Sequence, residues 1–164
     1  MSSPESAADI VIIGAGIVGL STAWQLTRRG QHNILVLEKG AGIGEGSTGA
    51  ASAICRYRYS AREMVRLARA GIDEYRNWGE FTGLAAPRAR FANDGVLWFT
   101  GPDTSWADRE HARMASLGIR TEVVDNAGLA AAYPAFNPCT ADVDLDDPES
   151  HVCGGEGKHL LELD

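Results

Sequence analysis

Residues 9–39, DIVIIGAGIVGLSTAWQLTRRGQHNILVLEK, constrain this chain more than any other stretch. An apolar run at 10–13 meets the glycine turn GAGIVG at 14–19, and a helix-compatible segment continues to about residue 29. A second apolar run at 34–37 then ends on Glu38. Strand, glycine loop, helix, strand and acid in that order describe a parallel βαβ unit. Gly14 lets the chain turn tightly out of the first strand, Gly16 removes a side chain where a pyrophosphate could approach, and Gly19 lets helix and strand pack closely. A helix starting near Ile17 offers free N–H groups and the positive end of its dipole. Glu38, 19 residues after Gly19, is placed to accept hydrogen bonds from ribose hydroxyls and to repel a 2′-phosphate. The pattern points to the ADP moiety of a dinucleotide, without separating FAD from NAD.

Composition narrows the class. With 164 residues the chain can form one ordinary domain with its own core. Its net charge of −7 and scattered arginines argue against nucleic acid as a partner. Cys55, Cys139 and Cys153 are odd in number and far apart, which predicts no disulfide framework and a reducing cytoplasmic setting. No run of about 18 apolar residues predicts a membrane span. The polar start MSSPESAAD lacks the basic and apolar regions of a signal peptide and reads as a short frayed tail. The sequence carries no signal for an oligomeric state.

A second glycine-rich run, GAGIGEGSTGAAS, follows at 40–52. Ser47 and Thr48 are good N-caps, and the small residues at 50–53 predict a second helix whose N-terminus faces a phosphate. Taken together, VIIGAGIVGLSTAWQLTRRG, VLEKG, and GSTGAAS followed by Arg56 resemble the D-amino-acid oxidase superfamily of FAD enzymes, in the branch of sarcosine oxidases, glycine oxidases and D-amino-acid dehydrogenases. The resemblance covers roughly residues 9–150 and is specific to about residue 60.

That resemblance implies a Rossmann-like FAD-binding unit, an α/β class that is α+β overall, followed by the start of a mixed-sheet substrate domain. It implies non-covalent FAD held by Gly14, Ala15, Gly16, Ile17, Val18, Gly19, Glu38, Lys39, Gly46, Ser47, Thr48, Ala51 and Ser52. Some members carry a flavin-linked histidine in the GS-T/S segment; Thr48 and Gly49 stand there instead. The implied reaction oxidises the C–N bond of a small amine or amino acid by hydride transfer to flavin, with Arg56 gripping the substrate carboxylate bidentately. Arg58 is the alternative anchor. No catalytic acid or base is singled out. Readings as an NAD-dependent dehydrogenase, or as a catalytically inactive nucleotide-binding piece, stay open.

Further along, apolar residues at three- and four-residue steps predict a helix over 61–81. A strand is expected at 91–100, a helix at 103–117, a strand at 119–124 and a short helix at 125–132 stopped near Tyr133-Pro134. Domains are expected over 1–85, 86–150 and a truncated return segment 151–164, whose last residues offer at most the start of a helix. The family exceeds twice this length, so the chain reads as an N-terminal portion too short to act alone. Asp142, Asp144, Asp146 and Asp147 fail the calcium-loop pattern and read as a solvated acidic loop. Cys139, His151, Cys153 and His159 lack a close cysteine pair and read as scattered residues, so no metal site is expected.

Overall fold

The computed structural model describes residues 7–86, 88–100, 103–141 and 143–163. The expected N-terminal tail over residues 1–6, and Asp142 of the acidic cluster, lie outside them. The chain divides between Ile54 and Cys55 into two compact units.

The first unit is the expected βαβ. Strand β1 (Ile10–Ile13) leads through helix α1 (Ile17–Arg28) to strand β2 (Ile34–Leu37). The strands pair in parallel, with Ile10 opposite Ile34 and Ile13 opposite Leu37. Gly14, at φ +102°, makes the turn out of β1 that a side chain would strain. At Gly19 a Cβ would lie 1.9 Å from the Gly14 carbonyl oxygen, so the helix can sit this close to the turn only without one. Within α1, Ala23, Trp24 and Leu26 are half-buried, whereas Thr27 is exposed and Val18 is 77% exposed.

The second unit holds helices α2 (Arg62–Arg76) and α3 (Trp78–Thr82), strand β3 (Val96–Trp98), helix α4 (Thr104–Ser116), strand β4 (Thr121–Asp125), helix α5 (Asn126–Ala132) and strand β5 (Lys158–Glu162). The helix expected over 61–81 is therefore two, and α2 belongs with the following elements rather than with the βαβ unit. The reason is packing: its buried Val65 and Ile72 share one cluster with Tyr57, Met114 and Ile119. Each such fully buried aliphatic side chain stabilises the fold by roughly 1.5–3 kcal/mol. Asp103 caps α4 by accepting the Ser105 N–H, and Asp125 caps α5 by accepting the Gly128 N–H.

The sheet of this unit has the order β3-β5-β4, and both pairings are antiparallel. Its central strand overturns the expectation of a helix start near the C-terminal end. His159, Leu160 and Glu162 of β5 are all buried. Two flanking strands satisfy its backbone on both edges, and that pairing decides the local conformation. No helix among the described residues is long and apolar enough to cross a membrane.

Candidate cofactor site

A cleft of about 820 Å³ opens in the first unit. Its walls are the end of β1, the turn and first residues of α1 (Gly14, Gly16 to Gly19), Leu37 at the end of β2 with residues 38–40 after it, and Glu45 to Thr48. The sequence places these residues up to 36 positions apart; the parallel pairing of β1 and β2 brings the C-terminal ends of the strands side by side, where open α/β sheets bind ligands.

The two glycine runs are joined by hydrogen bonds. The Gly44 N–H donates to the Ala15 carbonyl at 3.0 Å. At the start of α1 the Ile17 N–H donates to Thr48 Oγ1, also at 3.0 Å. Gly16 is the residue before the helix, and a Cβ there would meet Thr48 Oγ1 at 3.0 Å. A side chain at 16 would thus push away the hydroxyl that tops the helix.

Glu38 spans the gap between the strand ends. Its Oε2 accepts the Ala15 N–H at 2.7 Å and its Oε1 accepts the Gly40 N–H at 2.9 Å. The Gly40 bond, then the Ala15 bond, hold its carboxyl below the usual glutamate range. The acid therefore stays ionised and fixed against the glycine turn, with acceptor capacity left for a ligand at the cleft.

Of the residues expected here, Lys39, Gly46 and Ser47 line the cleft with those already named. Ala15 is buried beneath it, with 4% of its surface exposed. Ala51 and Ser52 lie outside the lining, exposed and without regular structure. The second helix expected over 50–53 is absent: residues 43–50 form successive turns, and Ala53 adopts a left-handed φ of +56°. Glycine-dense chain has too many open conformations to hold a helix without packing. Glu45 was not anticipated. Its Oε2 accepts the Ala41 N–H at 3.1 Å, and the side chain fills the space beside Gly40 and Gly42. An acid inside a glycine run was the available signal.

In the second unit, the two candidate anchors differ in their engagements. Arg58 donates through Nε to Glu110 at 2.8 Å and lies over the rings of Trp98 and Trp106. Arg113, and then Arg58, hold the Glu110 carboxyl below its usual range. Arg56 is exposed, with its guanidinium 4.9 Å from the Tyr59 ring centre and 5.2 Å from that of Trp98.

The structure also corrects the reading of the cysteines. The donor atoms of Cys139, His151 and Cys153 lie within 4.8 Å of one another. The Cys139 thiol is lowered to about 7, chiefly by the Gly154 and Ala141 backbone groups. His159 stands apart: its Nε2 lies 2.8 Å from Asn126 Oδ1, its Nδ1 takes the Thr100 N–H, and its ring stacks on Phe99.

The chain is similar to known proteins over most of its length. The family model described as FAD dependent oxidoreductase matches residues 9–153. The chain is 29% identical over 129 residues to the "Putative sarcosine oxidase" of Caenorhabditis elegans, covering 78% of this chain and 32% of that protein. It is 42% identical over 52 residues to D-amino acid dehydrogenase 2 of Ralstonia nicotianae, covering 32% of this chain and 12% of that one. The chain thus spans about a third or less of the length of these relatives. Glycine oxidase from Bacillus cereus shares the fold, with a TM-score of 0.65 over 95% of this chain and 38% of that chain, at 15% identity.

Proposed function

The chain belongs to the FAD dependent oxidoreductase family, and on that premise we propose that its first unit binds the ADP end of FAD in an oxidoreductase acting on a small amine or amino acid. The observation that carries this reading is the pairing of Glu38 with the glycine turn. The cradle suits the cofactor: backbone approaches the cleft at Gly14, Gly16 and Gly19, and a fixed carboxylate lines it, as a ribose would require. When bound, the flavin supplies a two-electron acceptor for oxidation of a C–N bond by hydride transfer.

The residues of this chain then have defined tasks. Glu38 accepts the ribose hydroxyls on the lone pairs its backbone bonds leave. Thr48 already accepts the Ile17 N–H, so its own proton can be donated to a phosphate oxygen. The start of α1 adds the favourable end of its dipole. Thr48 and Gly49, where a flavin-linked histidine would stand, support non-covalent binding. Arg56 anchors the substrate carboxylate: ring contacts use the guanidinium faces and leave its N–H edges for a bidentate grip.

Flavin fluorescence titration of the purified protein tests the cofactor assignment. FAD is expected to bind, NADH not to compete, and acid precipitation to release all flavin. Glu38→Ala is expected to weaken FAD about 10-fold or more, as loss of hydrogen bonds to a charged group does; unchanged affinity would sink the role of Glu38. Arg56→Lys keeps the charge but loses the fork. It is expected to weaken the binding of a carboxylate-bearing amine about 10-fold while leaving FAD affinity alone. Unchanged binding would transfer the anchor elsewhere.

A further inference from the structure

We propose that Cys139, His151 and Cys153 form a zinc site, three protein donors around one Zn²⁺ with a fourth position taken by water or a small donor. The site lies in the second unit and is independent of the cofactor assignment.

Geometry carries the inference. Cys139 Sγ lies 3.3 Å from His151 Nε2, and all three donor atoms fall within 4.8 Å of one another. Tetrahedral zinc, with bonds of about 2.3 Å to sulfur and about 2.05 Å to nitrogen, sets S···N at about 3.6 Å and S···S at about 3.8 Å. The three atoms reach that arrangement by shifts of about 1 Å or less. Surrounding donors suit thiolates. The Gly154 N–H points at Cys139 Sγ at 3.3 Å, and Asn137 Nδ2 lies 3.5 Å from Cys153 Sγ. Two sulfurs and an imidazole select a borderline-soft ion over magnesium or calcium.

The place of the cluster in the chain gives it a task. Residues 139–153 form a loop whose regular structure, among the described residues, is a single 3-10 turn, Pro148–Ser150. The loop is closed at its base by Thr140 N–H to the Gly154 carbonyl at 3.2 Å. It returns only five residues before Lys158 begins β5, the central strand. An ion joining the loop's two ends and His151 would fix the entry of that strand. Each cysteine thiol releases its proton to solvent on binding, and nothing is oxidised or reduced. The same two sulfurs could instead join as a disulfide. An imidazole nitrogen aimed at the Cys139 sulfur favours the metal.

The test is titration of the reduced, purified protein with Co²⁺, followed by displacement with Zn²⁺. One ion per chain, intense visible bands of four-coordinate cobalt and a sulfur-to-metal charge-transfer band are expected. Cys139→Ser, His151→Ala or Cys153→Ser should each weaken binding about 100-fold or more, with His32→Ala, at an exposed site, unchanged. A second readout needs no variant: stoichiometric Zn²⁺ should protect Cys139 and Cys153 from alkylation, and a chelator should restore it. The proposal is overturned if cobalt binds without the sulfur band, if binding survives all three substitutions, or if zinc leaves alkylation unchanged. A Cys139–Cys153 disulfide that takes up no metal after reduction also overturns it.

Discussion

Glu38 and Glu162 each close a β-strand and each grip backbone N–H groups, yet they serve different ends. Glu38 follows β2 at an exposed cleft and holds the Ala15 and Gly40 N–H groups, 23 and 2 residues away. Glu162 ends β5 with 1% of its surface exposed. It accepts the Tyr57 N–H at 2.7 Å, the Arg58 N–H at 3.1 Å and Trp98 Nε1 at 2.5 Å. Solvent access separates their roles. A carboxylate in water can exchange or share partners with a ligand at small cost, whereas a buried one is committed to its donors. The first unit therefore keeps its acid for chemistry at the surface, and the second uses its acid to tie residues 57–58 and β3 to the central strand.

The contrast is sharpest under a single kind of substitution. Glu162→Gln puts an amide N–H₂ where an oxygen accepts N–H donors. At least one buried donor loses its partner, and the fold should lose about 3 kcal/mol, read as a fall in the urea midpoint at unchanged slope. Glu38→Gln should leave that midpoint nearly in place and instead show its effect in FAD affinity. If both variants lowered stability alike, the division between a ligand-facing and a structural acid would be lost.

The same two acids show what the sequence can and cannot disclose. Glu38 was legible because its partners are local to one βαβ unit: a glycine pattern, a helix and a strand fix its place within about 25 residues. The buried Glu162 was not, because Tyr57 lies 105 residues away and no periodicity links them. HLLEL can read as helix or strand, and only the pairing with β3 and β4 decides between them. The cysteine cluster failed for a related reason. Spacing rules assume a short knuckle, whereas here a loop of irregular backbone brings Cys139 back to Cys153. At 50–53, just after the glycine-dense run, local residue type overestimated helix, since small residues permit a helix without enforcing one.

The smallest expected effect concerns His159, three residues before Glu162 in β5. The Thr100 N–H donates to its Nδ1, so the proton of the neutral ring sits on Nε2 and is given to Asn126 Oδ1. A second proton would have to enter at Nδ1, where it would face the Thr100 N–H. Burial lowers its pKa below the ordinary 6.5. The unfolded chain therefore binds this proton first as pH falls. Stability from His159 is constant above about 6.5 and declines below it, until the folded-state pKa is passed. Urea midpoints measured at successive pH values should show this decline. His159→Gln can offer an acceptor and a donor to the same two partners but cannot titrate, so it should remove that part of the slope. An equal slope in wild type and variant would mean that the ring is protonated or solvated in the fold. The interior of the second unit would then be wetter than the contrast between Glu38 and Glu162 requires.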